Sequence, residues 1–349
     1  YQLQAIMGGL LGSSIDHFTP HGFWNAFKDC DGLPVNLREH QDAAEFFERC
    51  ADQCDEAMKR LSKQGAIQSV FGGAFAQQII SKDCPHISSR DQEFMFMSVD
   101  VRNKRNLQDS LEAFVKGELL EADNAYFCEH CGKKVDALKR VAIRRFPKSL
   151  CIHLKRFDFD YETMQRLKVN DRFEFPMHIN LEPYTVEGLG AKDGTCINSK
   201  GKDEYEYELV GVIVHSGSAF AGHYYSYIKE RSGSKGSRSS GRDKNHTPQW
   251  FLFDDNRVEP YNIENLEADC FGGKYTMEVY DSYLKENTIQ EHERHYSAYM
   301  LLYENCSQAV ENVSVSQVAD DLNDAEPETA EGDADEDKII GILKSLETE

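Results

Sequence analysis

The chain has 349 residues, with 39 Lys and Arg against 60 Asp and Glu, a formal charge of −21. Its 40 % hydrophobic content excludes a wholly disordered chain, and the acidic balance argues against a general nucleic-acid binder and for a basic partner surface. No apolar run approaches the ~18 residues that a membrane helix needs; the longest candidates, residues 209–214 and 339–343, are far too short.

In chain order, residues 1–11 and 22–27 read as helices, and residues 36–60 give the clearest one. There Ala43, Phe46, Phe47, Cys50, Cys54, Ala57 and Met58 recur at helical spacing, with Asp42, Glu45, Glu48 and Arg49 around the stripe. From residue 71 to 183 the signals turn to β. Residues 94–101 read as one strand, as do 137–146 and 150–157, with a short amphipathic helix over 107–114 and a strand-like run over 173–180. Residues 208–215 form a buried strand, 216–222 a glycine turn and 223–228 the next strand. Residues 232–248 read as a flexible Gly/Ser/basic insertion. The sheet resumes at 250–253, ending at Asp254 and Asp255, and closes with 299–303. Residues 320–337 carry ten acids and no base, the pattern of a solvated, disordered segment, and 338–346 can form a short terminal helix.

Ten cysteines are present. Cys30, Cys50, Cys54, Cys151, Cys196, Cys270 and Cys306 are scattered and read as reduced core residues, which points to a reducing compartment. His223 follows a glycine turn and opens a strand, and Asp254 closes the next one. If these strands pair as a hairpin, the imidazole and carboxylate meet as a base oriented by an acid, with Asp255 assisting from the side. Taken alone, the two residues read more readily as a loop histidine and a strand-end acid.

The wording around them resembles the ubiquitin-specific proteases. Val214-His-Ser-Gly-Ser-Ala-Phe-Ala-Gly-His-Tyr-Tyr-Ser-Tyr227 with Trp250-Phe-Leu-Phe-Asp-Asp255 is similar to that family's His box. Leu154-Lys-Arg-Phe-Asp158 with Asn170-Asp-Arg-Phe-Glu-Phe-Pro176 looks like its central box, and His40-Gln-Asp-Ala-Ala-Glu-Phe46 like its Gln box. The resemblance covers about residues 1–304, and finer wording such as Cys270-Phe-Gly-Gly273 resembles the fat facets branch, the X-linked type. It implies an α+β, papain-like cysteine isopeptidase shaped as a hand: a partial helical thumb over 1–65 and β-rich palm and fingers over 66–305 with a zinc-ribbon-like tip near 81–131; beyond the resemblance, composition marks 306–349 as an acidic, mostly disordered tail. By motif match His223 is the general base and Asp254 its orienting partner, with Asp255 beside them. Asp42 and Glu45 match acids that grip the arginine-containing tail of ubiquitin, and Phe157 and Tyr224 lie beside the expected tail channel. On residue grounds, two acids three apart on an exposed helix face suit charge-assisted pairs to Arg, although a plain solvated face explains them too, as core packing explains the aromatics.

Two departures stand out. The family's Cys box, source of the nucleophilic thiol, has no equivalent, and residues 1–11 already match the helix after it. The expectation is a truncated chain that does not hydrolyse by itself. Second, Cys128-Glu-His-Cys131 is half of a zinc knuckle, but the opposite finger reads Ser81-Lys-Asp-Cys84-Pro-His86. That leaves Cys84, Cys128 and Cys131, with His86 or water as a fourth ligand, or reduced thiols without metal. No cofactor is required for the chemistry itself. The function implied is a deubiquitinase fragment acting on ubiquitin and ubiquitinated proteins, without nucleic acid or membrane, in the cytoplasm or alternatively the nucleus. The second reading is a non-catalytic ubiquitin-binding module, and the third a scaffold domain held by a zinc finger.

Overall fold

Apolar alternation over residues 206–217 and 296–305 builds the middle of an eight-stranded sheet. Its order runs Arg257–Tyr261, Trp250–Asp254, Gly222–Lys229, Glu206–Gly217, Tyr296–Asn305, Ser149–Lys155 and Met97–Asp100, with His178–Asn180 paired beside Glu206–Gly217. Every pairing is antiparallel except that of Met97–Asp100 with Ser149–Lys155. The computed structural model describes residues 1–12, 17–29, 31–36, 39–60, 65–193, 202–230, 248–281 and 285–307, and these belong to one compact unit, Tyr1–Ala309.

One face of the sheet carries the main core. Leu209, Val212, Val214, Leu301, Tyr303, Ile152 and Leu154 meet Leu107 and Leu111 of the helix Leu107–Val115. Burying each such aliphatic side chain stabilises the fold by roughly 1.5–3 kcal/mol. The helix starts where Asn106 accepts a hydrogen bond from Asp109 N, satisfying one of its orphan amides.

The other face carries the helix Ala43–Lys59. The spacing predicts this helix from residue 36, but it begins at 43 because Asp42 caps it, accepting from Ala44 N (2.8 Å) and Glu45 N (3.2 Å). Ala43, Ala44 and Phe47 then pack with Ile213, Tyr224 and Leu302. Phe46 turns the other way, onto Phe23 and Phe27 at the helix His21–Ala26.

A second sheet, ordered Ile87–Phe94, Gly73–Ser81, Ala137–Arg145 and Glu118–Leu120, forms the finger body, with the small hairpin Tyr126–Cys128 and Lys133–Val135 as a further pair. The single strand expected over 94–101 is therefore two. Phe94 ends a finger strand, stacked 4.1 Å from Phe75, whereas Met97 starts a palm strand and is fully buried. The apolar side chains either side of residues 95–96 serve two sheets, so one alternation cannot describe them.

Residues 173–180 also differ from expectation, since only His178–Asn180 joins a sheet. The chain leading to them is held by a side chain. Arg156, fully buried, donates to Ala298 O (2.7 Å), Val169 O (2.9 Å) and Asp171 O (3.1 Å). Phe173 and Phe175 insert into the core on either side of exposed Glu174, but the segment makes only an isolated bridge, Glu174 with Asn106. The hairpin Lys274–Asp281 with Glu286–Glu293 went unread because only its first strand alternates apolar with polar residues. The insertion expected over 232–248 lies outside the described residues except for Pro248, and the segments 320–337 and 338–346 lie wholly outside them.

Arg156→Met retains the bulk of this side chain but strips the donor from three buried carbonyls. A loss of about 3–5 kcal/mol in urea unfolding is expected, well beyond what a surface arginine substitution costs.

Candidate active site

His223 and Asp254 come together because of strand register. Gly222–Lys229 pairs with Trp250–Asp254 through Ser226↔Phe253, Tyr227↔Leu252 and Ile228↔Phe251. By period-two alternation His223, Tyr225 and Tyr227 share a face with Asp254, Leu252 and Trp250. His223 is thus diagonal to Asp254 on that face, and its Nε2 lies 2.6 Å from Asp254 Oδ1. Nε2–H donates to the carboxylate, which leaves Nδ1 with its lone pair as the basic nitrogen. A two-residue turn, Asp255–Asn256, joins Asp254 to Arg257, and Asp255 takes a left-handed φ of 51° to make it. Its carboxylate joins the group, since ligand atoms of His223, Asp254 and Asp255 all lie within 4.8 Å of one another. No described cysteine belongs to that group.

The opposite face of the same strand end presents Tyr224. Its ring meets His215 at 4.9 Å and Tyr299 at 5.5 Å, and Phe157 meets His215 at 5.0 Å and Tyr299 at 5.4 Å. Phe157 and Tyr224, chosen from sequence, are therefore parts of one aromatic cluster. Sequence reasoning missed its other members, Tyr299 and His215; the His-Ser-Gly wording after Val214 was the available signal for the second. His215 is buried, and that burial, reinforced by the Lys168 ammonium, pushes its imidazole down to about 4, so it is neutral at physiological pH. Its Nδ1 has no hydrogen-bond partner. Gly222 must be glycine, because a Cβ there would sit 2.1 Å from His215 Nε2.

Asp42 anchors this cluster to the helix. Besides capping Ala43–Lys59 with Oδ1, it accepts at Oδ2 from the hydroxyls of Tyr299 (2.5 Å) and Tyr224 (3.5 Å). Burial and this carboxylate raise both phenols above their ordinary value, which keeps them protonated donors. The expectation that Asp42 and Glu45 share an exposed helix face is corrected here: Asp42 is the cap, facing the tyrosines. Glu45 lies on the exposed first turn, paired with Arg49 at 3.2 Å.

At the finger tip the structure gathers Cys84, His86, Cys128 and Cys131, whose ligand atoms all lie within 4.8 Å of one another. Cys84 Sγ is 3.8 Å from Cys128 Sγ, and His86 Nδ1 is 3.5 Å from Cys128 Sγ and 3.4 Å from Cys131 Sγ. Zinc with bonds of ~2.3 Å to sulfur and ~2.0 Å to nitrogen has tetrahedral edges of about 3.8 and 3.5 Å, so the four donors fit. Ser81 stands aside as a neighbour of one ligand. Its hydroxyl accepts from Cys84 N (3.2 Å) and lies 3.1 Å from Cys84 Sγ, and with His86 it draws that thiol down to about 6.

The family model for ubiquitin carboxyl-terminal hydrolase matches residues 1–303. The chain is 43 % identical to ubiquitin carboxyl-terminal hydrolase 9X of Mus musculus over 318 residues, 86 % of the chain but 12 % of that protein. It is 41 % identical to the probable ubiquitin carboxyl-terminal hydrolase FAF of Drosophila melanogaster, over 88 % of the chain and 11 % of that protein. It therefore spans only a small part of these relatives' length. Among solved structures it is similar to the SAGA Ubp8/Sgf11/Sus1/Sgf73 DUB module bound to ubiquitin aldehyde, at 24 % identity and TM-score 0.53, covering 76 % of the chain and 49 % of the other. A second Ubp8 module, bound to monoubiquitin, matches at 25 % identity and TM-score 0.54, covering 76 % and 48 %. These neighbours are papain-like, as the helix packed on an antiparallel sheet here also is.

Tyr299→Phe removes one donor from Asp42 and is expected to cost about 1 kcal/mol. Asp42→Ala loses the cap as well and leaves two hydroxyls unserved, so about 2–3 kcal/mol is expected. Urea midpoints of the two variants, and the helical circular dichroism of the second, check the order.

Proposed function

The chain belongs to the ubiquitin carboxyl-terminal hydrolase family, and on that premise we propose that it supplies the base, the orienting acid and the ubiquitin-holding surface of a cysteine-type deubiquitinase. The observation that carries this reading is the 2.6 Å His223–Asp254 pair beside the aromatic cluster of Phe157, His215, Tyr224 and Tyr299.

In the reaction, His223 Nδ1 takes the proton of a cysteine thiol, and the thiolate attacks the isopeptide carbonyl after the ubiquitin Gly-Gly. Asp254 holds the imidazolium that forms, and Asp255 adds negative charge from the turn. The imidazolium returns its proton to the departing lysine amine, leaving a thioester that water cleaves with His223 again as base. The glycine tail is narrow enough to pass between flat rings, and the Phe157–Tyr224 cluster suits that task. Glu45, exposed and paired at the surface with Arg49, is the acid that can exchange that partner for an arginine of the tail; Asp42 shapes the channel through the two tyrosines. In this reading residues 1–65 are the thumb, 66–305 the palm and fingers and 306–349 an acidic tail. The free state of the described cysteines suits a reducing compartment, the cytoplasm or nucleus.

Because no described cysteine belongs to the His223 group, a second reading is kept: a module that binds ubiquitin without cleaving it. Ubiquitin bearing a thiol-reactive C-terminal warhead separates the two. This chain is expected to bind it without an adduct. A chain extended upstream is expected to form an adduct, seen by intact mass, that His223→Ala abolishes. No adduct on either, with ubiquitin still bound, selects the binding module. An adduct on this chain puts the nucleophile among its own ten cysteines and overturns the present assignment. Failure to bind ubiquitin sinks both readings.

At the finger tip we propose a structural zinc held by Cys84, Cys128, Cys131 and His86 Nδ1. It closes the tip by joining the turn after Gly73–Ser81 to the hairpin Tyr126–Val135. One equivalent of zinc per chain is expected by metal analysis, retained in Ser81→Ala and lost in Cys131→Ser. Chelation is expected to loosen the amides of residues 126–135 and leave the palm strands unchanged.

A further inference from the structure

A lysine that the triad logic does not use lies beneath the loop that delivers His223. Lys168 ends the strand Gln165–Lys168, and its Nζ donates to His215 O (2.9 Å), Gly217 O (3.2 Å) and His295 O (2.7 Å). An ammonium has three protons, so donors and acceptors match one to one. Two of the three carbonyls come from the strand that leads into the loop, and the third from the residue before the strand paired on its other side. His215 and Gly217 close Glu206–Gly217, and His295 precedes Tyr296–Asn305. Gly217 N donates to the same His295 O at 2.9 Å, and Ser218 N to Ala221 O at 2.9 Å closes the loop one residue short of Gly222 and His223. Gly217 holds φ at 130°, and a Cβ there would sit 2.5 Å from Ala221 O. Its carbonyl reaches Lys168 through a backbone conformation that side chains resist.

We propose that Lys168 is a positioning residue for His223: by tying three converging carbonyls to one ammonium it sets the loop over residues 218–221, and so the entry of the histidine strand and the reach of His223 to Asp254. It acts through the backbone and touches no substrate. The proposal rests on the reading of His223 as the base, but its first measurement does not depend on ubiquitin.

Two further observations support it. Lys168 is the cross-strand partner of Phe157 in the hairpin Phe157–Asp160 with Gln165–Lys168, and the Phe157 ring packs on His215. One hairpin thus grips the loop root twice, once by charge and once by a ring. The charge is also costly to keep. Burial and the Arg156 guanidinium push the amine down to about 8, with Glu293 opposing them, and the carbonyl dipoles favour its protonated form. A methionine would fill the space at no such cost, but it would leave the three carbonyls without this donor.

Lys168→Met and Lys168→Arg in this chain test the idea. In the methionine variant, amide exchange over residues 216–223 is expected to rise roughly tenfold or more while Ser149–Lys155 and Tyr296–Asn305 keep their protection. The His223 ring N–H resonance, shifted downfield by Asp254, is expected to broaden or vanish. Arginine keeps the charge but offers a flat fork to converging acceptors, so partial recovery of both signals is expected. Unchanged loop exchange together with an unchanged His223 resonance overturns the proposal. So does a uniform rise across the whole sheet with the resonance intact, which would make Lys168 only a pin for stability. If Lys168→Met does not fold, Lys168→Arg is read against the parent by the same two signals. Ubiquitin affinity is measured in parallel. A parent that fails to bind ubiquitin rejects the functional reading, while the exchange and resonance data still decide the role of Lys168.

Discussion

The site depends on the register between Gly222–Lys229 and its two neighbours. Side chains alternate faces with a period of two, so a slip of one residue would turn His223 away from Asp254 and bring Tyr224 to that face instead. The register is held by what lies further along the same strands. Tyr227, Trp250 and Leu209 are core residues, Leu252 and Tyr225 pack against them, and none of these can exchange faces cheaply. The core thereby sets the chemistry: the hydrophobic half of each strand positions the polar end.

Backbone carbonyls at strand ends and in the adjoining loops are held here by two cations drawn out of solvent. Arg156 serves three carbonyls around residues 169–171 and 298, and Lys168 serves three at the root of the histidine loop. Both carry charge into low dielectric, and both have amine or guanidinium groups held below their ordinary values by that burial. They stand at the two ends of one hairpin, Phe157–Asp160 with Gln165–Lys168. A sheet end that must change direction to present a loop leaves carbonyls unpaired, and a long cationic side chain can gather several of them. Asp42 does the converse for donors, collecting two helix amides and two tyrosine hydroxyls on one carboxylate. The thumb helix is thus joined to the palm by a polar contact as well as by Phe47 and Ala44.

Much of this was legible from residue order. The alternation at 208–215 and the glycine turn after it placed His223, and the end of the next strand placed Asp254. The helical stripe at Ala43, Phe46 and Phe47 was readable because its period is local. Cys128 and Cys131 were readable as a donor pair because two residues of spacing brings two thiols together across a tight turn. The start of the thumb helix was not, because a cap is chosen by side-chain geometry: Asp42 reads as one more acid on the stripe until its carboxylate is seen beneath two amides. The change of sheet at residues 95–96 was hidden because Phe94 and Met97 are both apolar and face one core from two different sheets.

By itself the sequence determined the family, the α+β class, the pairing of His223 with Asp254, and the three thiols of the finger tip, all of which follow from local periodicity or short motifs. Tertiary structure alone decided that His86 brings Nδ1 to those thiols while Ser81 stands aside, that Tyr299 and His215 join Phe157 and Tyr224, and that Asp42 faces the palm. It also decided that Lys168 lies under the histidine loop. These contacts join residues 42 and 299, 86 and 128, or 168 and 295. Their cause is the closing of sheets over a common core, which brings distant segments within hydrogen-bond reach and leaves no trace in the spacing of either segment alone.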